Sequence, residues 1–309
     1  MTDLTAPHFQ DEDKARERLE SLRWPTGPFC PHCGSFDATR LSGKKHRKGL
    51  VQCNDCREQF TVTVGTVFER SKVPLHKWLL ANHLLCSSKK GISAHQIHRM
   101  LGVTYKTAWF MCHRIREAMR DDDPSAFGTG GGIVEADETF IGIDPALKNW
   151  GARSGVNKMK VLSLIDRETG GARSFVLDGL TTAEIKPILL ENISREAKLV
   201  TDEANHYKRV GGMFAGKATV KHSAGEYVNL VDRLIHTNTI EGFFSIFKRG
   251  MKGIYQHCGK KHLHRYLAEY DFRYSNRSAC GVEDAERADI ALKGIAGKRL
   301  TYRRPSLAA

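Results

Sequence analysis

Along the chain the spacing of apolar positions changes three times. Phe60-Thr61-Val62-Thr63-Val64 alternates apolar and polar residues, the pattern of a half-buried strand, and predicts a small sheet running to about Phe68. From Pro74 to Arg120 the period becomes helical. Leu75, Trp78, Leu79, Leu85 and Cys86 follow the i, i+3, i+4 rule, with Asn82 a polar interruption. Ser93, after Gly91, is an N-cap for a second helix whose apolar positions are Ala94, Ile97 and Leu101. Gly102-Val103 then leads into a third helix, from about Thr104 to Met119, with Ala108, Met111, Cys112, Ile115 and Met119 on one stripe. From Ile133 the pattern is strand-like: runs at 133–141, 161–165 and 174–177 imply two hairpins, a helix follows at 182–192, and a short buried strand ends at Asp202. A last amphipathic helix buries Ile240, Phe243, Phe244, Phe247, Met251 and Ile254. Hairpins, then a helix, then a further strand predict an α/β mixed sheet with helices on its faces.

Helix, glycine-containing short turn, helix is the helix-turn-helix outline. On the third helix Tyr105, Lys106, Trp109, His113, Arg114 and Arg116 lie largely off the apolar stripe, a surface that could enter a major groove. Any small three-helix bundle would show the same stripe, so charge has to decide. The 309 residues carry a formal +13, distributed as +1 over 1–60, +8 over 61–120, −3 over 121–235 and +7 over 236–309. Two basic blocks around an acidic middle suggest a polyanionic partner, since Lys and Arg gain by releasing counterions from phosphates. Without the helix-turn-helix, a solvated basic surface would explain the excess equally well. Apolar residues at 40% exclude a wholly disordered chain. No apolar run approaches the roughly 20 residues needed to cross a bilayer, and residues 1–20 are polar and partly acidic, unlike a secretory signal. A cytoplasmic protein with no membrane partner is expected.

Cys30/Cys33 and Cys53/Cys56 form two C-x2-C knuckles, a spacing that turns four thiolates onto one tetrahedral structural Zn2+. With all four positions filled by protein, a catalytic zinc is disfavoured. Lys44-Lys45-His46-Arg47-Lys48, between the knuckles, is a basic hairpin tip suited to phosphate contact or a solvated loop. Asp137 interrupts a buried apolar strand and Asp202 ends another. Carboxylates so placed are protonated unless a cation or hydrogen bonds stabilise their charge. On the last helix Asn238, Glu241, Ser245, Lys248 and Lys252 share the polar face, so one helix can present an acid to a metal and a cation to a phosphate. Three carboxylates at a sheet edge suit a pair of Mg2+ or Mn2+ ions that activate a water or 3′-hydroxyl and stabilise the leaving oxygen of a phosphodiester.

Cys30-Pro31-His32-Cys33-Gly34 with Cys53/Cys56, Val134-Glu135-Ala136-Asp137-Glu138-Thr139, Val200-Thr201-Asp202 and the stretch from His236 to Gly250 resemble bacterial insertion-sequence transposases of the ISXO-like group. The resemblance spans about residues 20–280 and keeps the motif order. It implies a lead segment (1–25), a zinc ribbon (26–70), a helix-turn-helix domain (71–125), an RNase H-like DDE catalytic domain (130–280) and a basic tail (281–309), with an acidic, glycine-rich linker near 121–132. It implies a DNA transposase that binds the terminal inverted repeats of its element, cuts there and joins the 3′-hydroxyls to target DNA, as a homo-oligomer on DNA. By motif position Asp137 and Asp202 would be the first two metal ligands, Glu241 the third and Lys248 the phosphate-contacting base; Asn238 or His236 stands as an alternative third ligand. Asp166 reads as a hairpin-turn residue and Asp232 as a surface one. Two other functions share these features: a DNA-binding regulator with a catalytically silent C-terminal domain, and a nuclease without joining activity.

Overall fold

The computed structural model describes residues 3–147, 157–208, 210–220, 228 and 232–301. The chain forms two compact units, Met1–Arg120 with Val282–Ala309, and Asp121–Gly281.

In the first unit, helix α1 (Glu12–Arg23) starts at Asp11, whose side chain accepts from Lys14 N–H. An antiparallel ribbon follows, with β1 (Ala38–Arg40), β2 (Val51–Cys53) and β3 (Gln59–Phe60) in sequence order. The strand expected to reach Phe68 stops at Phe60. Beyond it Thr66 Oγ1 donates to the carbonyl of Thr63 and accepts from Phe68 N–H, which closes turns in place of a ladder. Val62, Val67 and Phe68 are nonetheless buried, so the alternation reported burial and not a strand.

Helices α2 (Leu75–Ser87), α3 (Ala94–Leu101) and α4 (Tyr105–Ala118) form at the predicted places. The Ser93 and Thr104 side chains cap α3 and α4, accepting from Gln96 N–H and Thr107 N–H. Gly102 takes the left-handed conformation, φ +60°, that the tight turn between them requires. The segment 281–309 differs from the expected tail. Its residues Asp284–Lys293 form helix α9, which packs on α2. Asn82, the polar interruption in the α2 stripe, donates to the carbonyl of Ala288 (2.9 Å), and Arg287 donates to the carbonyl of Cys86 (3.0 Å). Alanines form much of the buried α9 face, Ala288 and Ala291 beside Leu292, which is why the segment reads as polar tail. Residues 302–309 of that expected tail lie outside the described residues.

The second unit is built on a five-stranded sheet, ordered β6-β5-β4-β7-β8. Its strands are β4 (Ile133–Ile141), β5 (Met159–Asp166), β6 (Ala172–Leu177), β7 (Lys198–Thr201) and β8 (Gly216–Thr219). β4, β5 and β6 pair antiparallel through the two predicted hairpins, whereas β7 joins β4, and β8 joins β7, in parallel. This is the mixed α/β arrangement that the pattern predicts, and it agrees with the RNase H-like domain that the resemblance implies. Alternation splits β4 between two cores. Val134 and Ala136 face one containing Ile185 and Leu189 of α5 (Thr182–Asn192) and Tyr207 of the short α6 (Asn205–Lys208). Ile141, with Val161 and Ile165 of β5, faces Ile240, Phe243, Phe244 and Phe247 of α7 (Asn238–Gly250) and Leu263, Leu267 and Tyr270 of α8 (Lys260–Ser275). No described helix is long and apolar enough to cross a membrane.

Candidate active site and metal centres

β4 runs nine residues but pairs with β7 only from Ile133↔Lys198 to Glu135↔Val200. Past that point the parallel strands part, and the crevice beyond the carboxyl ends of parallel strands is where open α/β sheets place ligands. Asp137 stands on β4 just beyond the last β7 pair, and Asp202 directly follows Thr201, the end of β7. Carboxylate oxygens of Asp137, Asp202 and Glu138 all lie within 4.8 Å of one another. Burial, and then the charges of Glu138, Asp202 and Glu241, push the Asp137 carboxyl up to about 7, although its Oδ1 accepts from Glu138 N–H at 2.7 Å. A bound cation stabilises the charged form of a carboxylate buried beside other carboxylates. The donor set, all hard oxygen, therefore fits the Mg2+ or Mn2+ that the motif implies.

Glu138 was not singled out from the sequence. Its Oε1 accepts from His206 Nε2 (2.8 Å) and from the buried Tyr207 hydroxyl. The Glu138 hydrogen bond raises the His206 pKa, and burial raises that of Tyr207. A Glu following an Asp in a strand points to the opposite face by alternation, which hid it; the His-Tyr pair four residues past Asp202 was the available signal.

The expected third ligand is less close. Glu241 lies in the first turn of α7, its Oε1 accepting from Thr237 Oγ1 at 3.2 Å; its charge acts on Asp137, but it is outside the 4.8 Å cluster. Lys248, two turns on, is half-buried, its ammonium 5.9 Å from the centre of the Phe244 ring. Of the alternatives, Asn238 is exposed at the first position of α7, and His236 Nδ1 lies 2.9 Å from Arg167 Nη2 and 3.5 Å from Glu135 Oε1. Asp166 accepts from the backbone N–H groups of Gly128, Glu168 and Thr169, the turn role expected of it, and Asp232 pairs with Lys198.

The second centre is in the ribbon. The Sγ atoms of Cys30, Cys33, Cys53 and Cys56 lie within 4.8 Å of one another, with Cys30···Cys56 and Cys33···Cys53 each 3.6 Å apart, and none forms a disulfide. Four thiolates about 2.3 Å from one tetrahedral ion stand roughly 3.8 Å apart, so the four fit structural zinc without rearrangement.

The six residues expected to face DNA divide, and Arg114 is half-buried, donating to the carbonyls of Leu300 and Glu69 (3.2 Å each). Tyr105 and Lys106 are exposed at the start of α4, Tyr105 stacking on His95 of α3 (ring centres 4.1 Å), and Trp109 is half-buried. His113 and Arg116 are only 1% and 2% exposed. They are corrected to interior positions: a helix enclosed by α2, α3 and α9 buries more than one stripe, and burial covers almost the whole circumference of α4 after Trp109.

A family model of the ISXO2-like transposase domain matches residues 130–275, and one of the transposase zinc-ribbon domain matches residues 10–59. An uncharacterized protein in transposable element ISH50 of Halobacterium salinarum is 27% identical over 279 residues, covering 86% of this chain and 91% of that protein. A chain of the simian T-cell lymphotropic virus intasome in complex with PP2A regulatory subunit B56 gamma aligns over 63% of this chain at 14% identity. The alignment spans 65% of that chain's length, under two thirds, with a TM-score of 0.28, too low to bear on the fold. With the two models matched in that order, the chain joins a transposase zinc ribbon to an ISXO2-like transposase domain.

Proposed function

We propose that this transposase binds the terminal inverted repeats of its element and carries out metal-dependent cleavage and strand transfer, with Asp137 and Asp202 as the paired metal ligands. The observation that carries the proposal is the meeting of these two carboxylates where β4 and β7 part, with burial and then the neighbouring carboxylates pushing the Asp137 carboxyl up to about 7. Divalent ions bound there would supply Lewis-acid activation of a water or 3′-hydroxyl and charge neutralisation at the leaving oxygen. Asp137 and Asp202 would hold them from two adjacent strands, and Glu241 would close the site from α7. Lys248, two turns from Glu241 on the same polar face, would place a cation on the phosphate. Cys30, Cys33, Cys53 and Cys56 would hold structural zinc in the ribbon, and Tyr105 and Lys106 would lead α4 into the major groove of the element ends. Two ends must be brought together for joining, so a homo-oligomer on DNA is part of the proposal.

Purified protein, Mg2+ and DNA carrying the inverted repeats should give strand-transfer product that Asp137→Ala and Asp202→Ala each abolish. Full activity in both variants refutes the site. Cleavage without joining would support the nuclease reading, and sequence-specific binding without cleavage the regulator.

A further inference from the structure

Glu135 is completely buried on β4, two residues before Asp137 and on the same face of the strand. The first N–H groups of a helix need acceptors from outside it, and Thr237, at the N-cap of α7, makes no side-chain cap bond to the helix backbone. Glu135 Oε2 fills that role, accepting from Ile240 N–H at 2.8 Å. A carboxylate so deep requires a counterion, and Arg167, at the end of the β4–β5 hairpin, donates Nε to Glu135 Oε1 at 2.6 Å. The rest of the guanidinium continues into the chain that leads to α7: Nη1 donates to the carbonyl of Leu234 (2.5 Å) and Nη2 to that of His236 (2.6 Å). One buried pair thus holds both the approach to α7 and its first turn against β4.

We infer that Glu135 and Arg167 are positioning residues that set Glu241 against Asp137. The inference rests on the two-aspartate metal site proposed above. Ile240, whose N–H is fixed, immediately precedes Glu241; Glu135, which fixes it, is one pleat from Asp137, about 6.6 Å by strand geometry. The clamp is therefore a ruler between the strand that carries the first aspartate and the helix that carries the outlying acid. It also assigns His236: the residue's carbonyl and ring are both engaged by Arg167, so its place is in the clamp and not among the metal ligands.

Arg167→Ala would strip a buried carboxylate of its counterion, so Arg167→Lys is the variant of choice. It keeps the charge but replaces a fork that reaches three acceptors with a single ammonium. Glu135→Gln, which keeps an acceptor for Ile240 N–H and removes the charge, serves if the lysine variant fails to fold by circular dichroism. Mn2+ affinity of the full-length zinc-loaded chain would be measured by calorimetry for the unaltered protein, Arg167→Lys, Glu241→Ala and the double variant. Residues that orient metal ligands typically cost about 10- to 100-fold in affinity when changed. Arg167→Lys should weaken Mn2+ binding by at least about tenfold, and the double variant should bind no more weakly than Glu241→Ala alone. An unchanged affinity, the same loss in both backgrounds, or a loss in Arg167→Lys with none in Glu241→Ala would each overturn the clamp. Failure of the underlying site looks different: no Mn2+ binding to the unaltered protein, or binding that Asp137→Asn leaves intact.

Discussion

The Asp137 carboxyl makes the metal-free protein a poor host for its own active site, and Asp137→Asn measures by how much. In the folded protein, burial and the neighbouring carboxylates push this group from 3.8 up to about 7. Below pH 4 it is protonated in both folded and unfolded chains and has no effect on stability. Between about 4 and 7 the unfolded chain releases the proton while the folded chain keeps it, so stability falls as pH rises, by about 1.4 kcal/mol per pH unit. The whole interval amounts to on the order of 4 kcal/mol, fully lost above pH 7. Asparagine removes the titration while its Oδ1 can still accept from Glu138 N–H, the bond Asp137 makes at 2.7 Å. The variant should therefore match the unaltered protein near pH 4 and exceed it at pH 8 by a few kcal/mol, roughly 8 to 16 °C in the unfolding midpoint of a unit this size.

Thermal unfolding of zinc-loaded protein without Mg2+, followed from pH 4 to pH 8, reads this directly. Two other groups slope the same way. The Glu138 hydrogen bond raises His206, and burial pushes Asp271 on α8 up to about 7 although Ser174 N–H and Oγ donate to it. Asp271 cancels in the difference between the two curves, whereas His206, raised chiefly by its Glu138 hydrogen bond and least by the charge of Asp137, adds a minor part to it. Parallel curves, with no gap opening between pH 4 and pH 7, would show that Asp137 ionises normally and that the site is not a crowded anionic one.

Mn2+ has to displace the same proton, so its affinity should be about tenfold weaker at pH 6 than at pH 8; a flat profile in calorimetry would contradict the ligand role of Asp137. Chelating the zinc, or Cys53→Ser, should unfold the ribbon, seen as loss of one equivalent of zinc together with protease sensitivity in residues 26–70; retained protection would mean that the ribbon folds on its apolar contacts alone. Lys106→Ala should weaken DNA binding across sequences and lower the salt slope by about 1. His113→Ala, at a buried position, should lower the melting temperature first and leave the salt slope unchanged, and the reverse pattern would put His113 back on the DNA face.

Legibility in the sequence followed the range of the interaction concerned. The cap at Ser93, the start of α4 near Thr104 and the strand pattern around Asp137 are settled within a few residues, and each is in place. The zinc knuckles extend this reach only because two short motifs meet through a ribbon of fixed register, Ala38↔Cys53. Longer contacts were hidden. Asn82 read as a defect in a stripe until α9 supplied the carbonyl of Ala288, 206 positions away. His113 and Arg116 read as exposed because a stripe calculation assumes one partner for a helix, whereas α4 is enclosed by three.

Period-two alternation is also what lets one strand serve two faces of the site. Asp137 and Glu135 fall on the side of β4 that meets α7, and Glu138 on the side that meets α6. The same nine residues thus bring a carboxylate to Asp202, cap the helix carrying Glu241, and receive His206 and Tyr207 from beyond β7. A one-residue slip of β4 against β5 would exchange these roles, sending Asp137 into the apolar layer of Val134 and Ala136. What opposes that slip is burial of the apolar set on the face of Val134 and Ala136. The partner strand is itself held: opposite Asp137, the Ser163 hydroxyl pairs with Ser174 at 2.7 Å, and Ser174 donates to Asp271 of α8. The polar path from Ser163 through Ser174 to Asp271 therefore fixes the strand against which the carboxylate of the proposed site is registered.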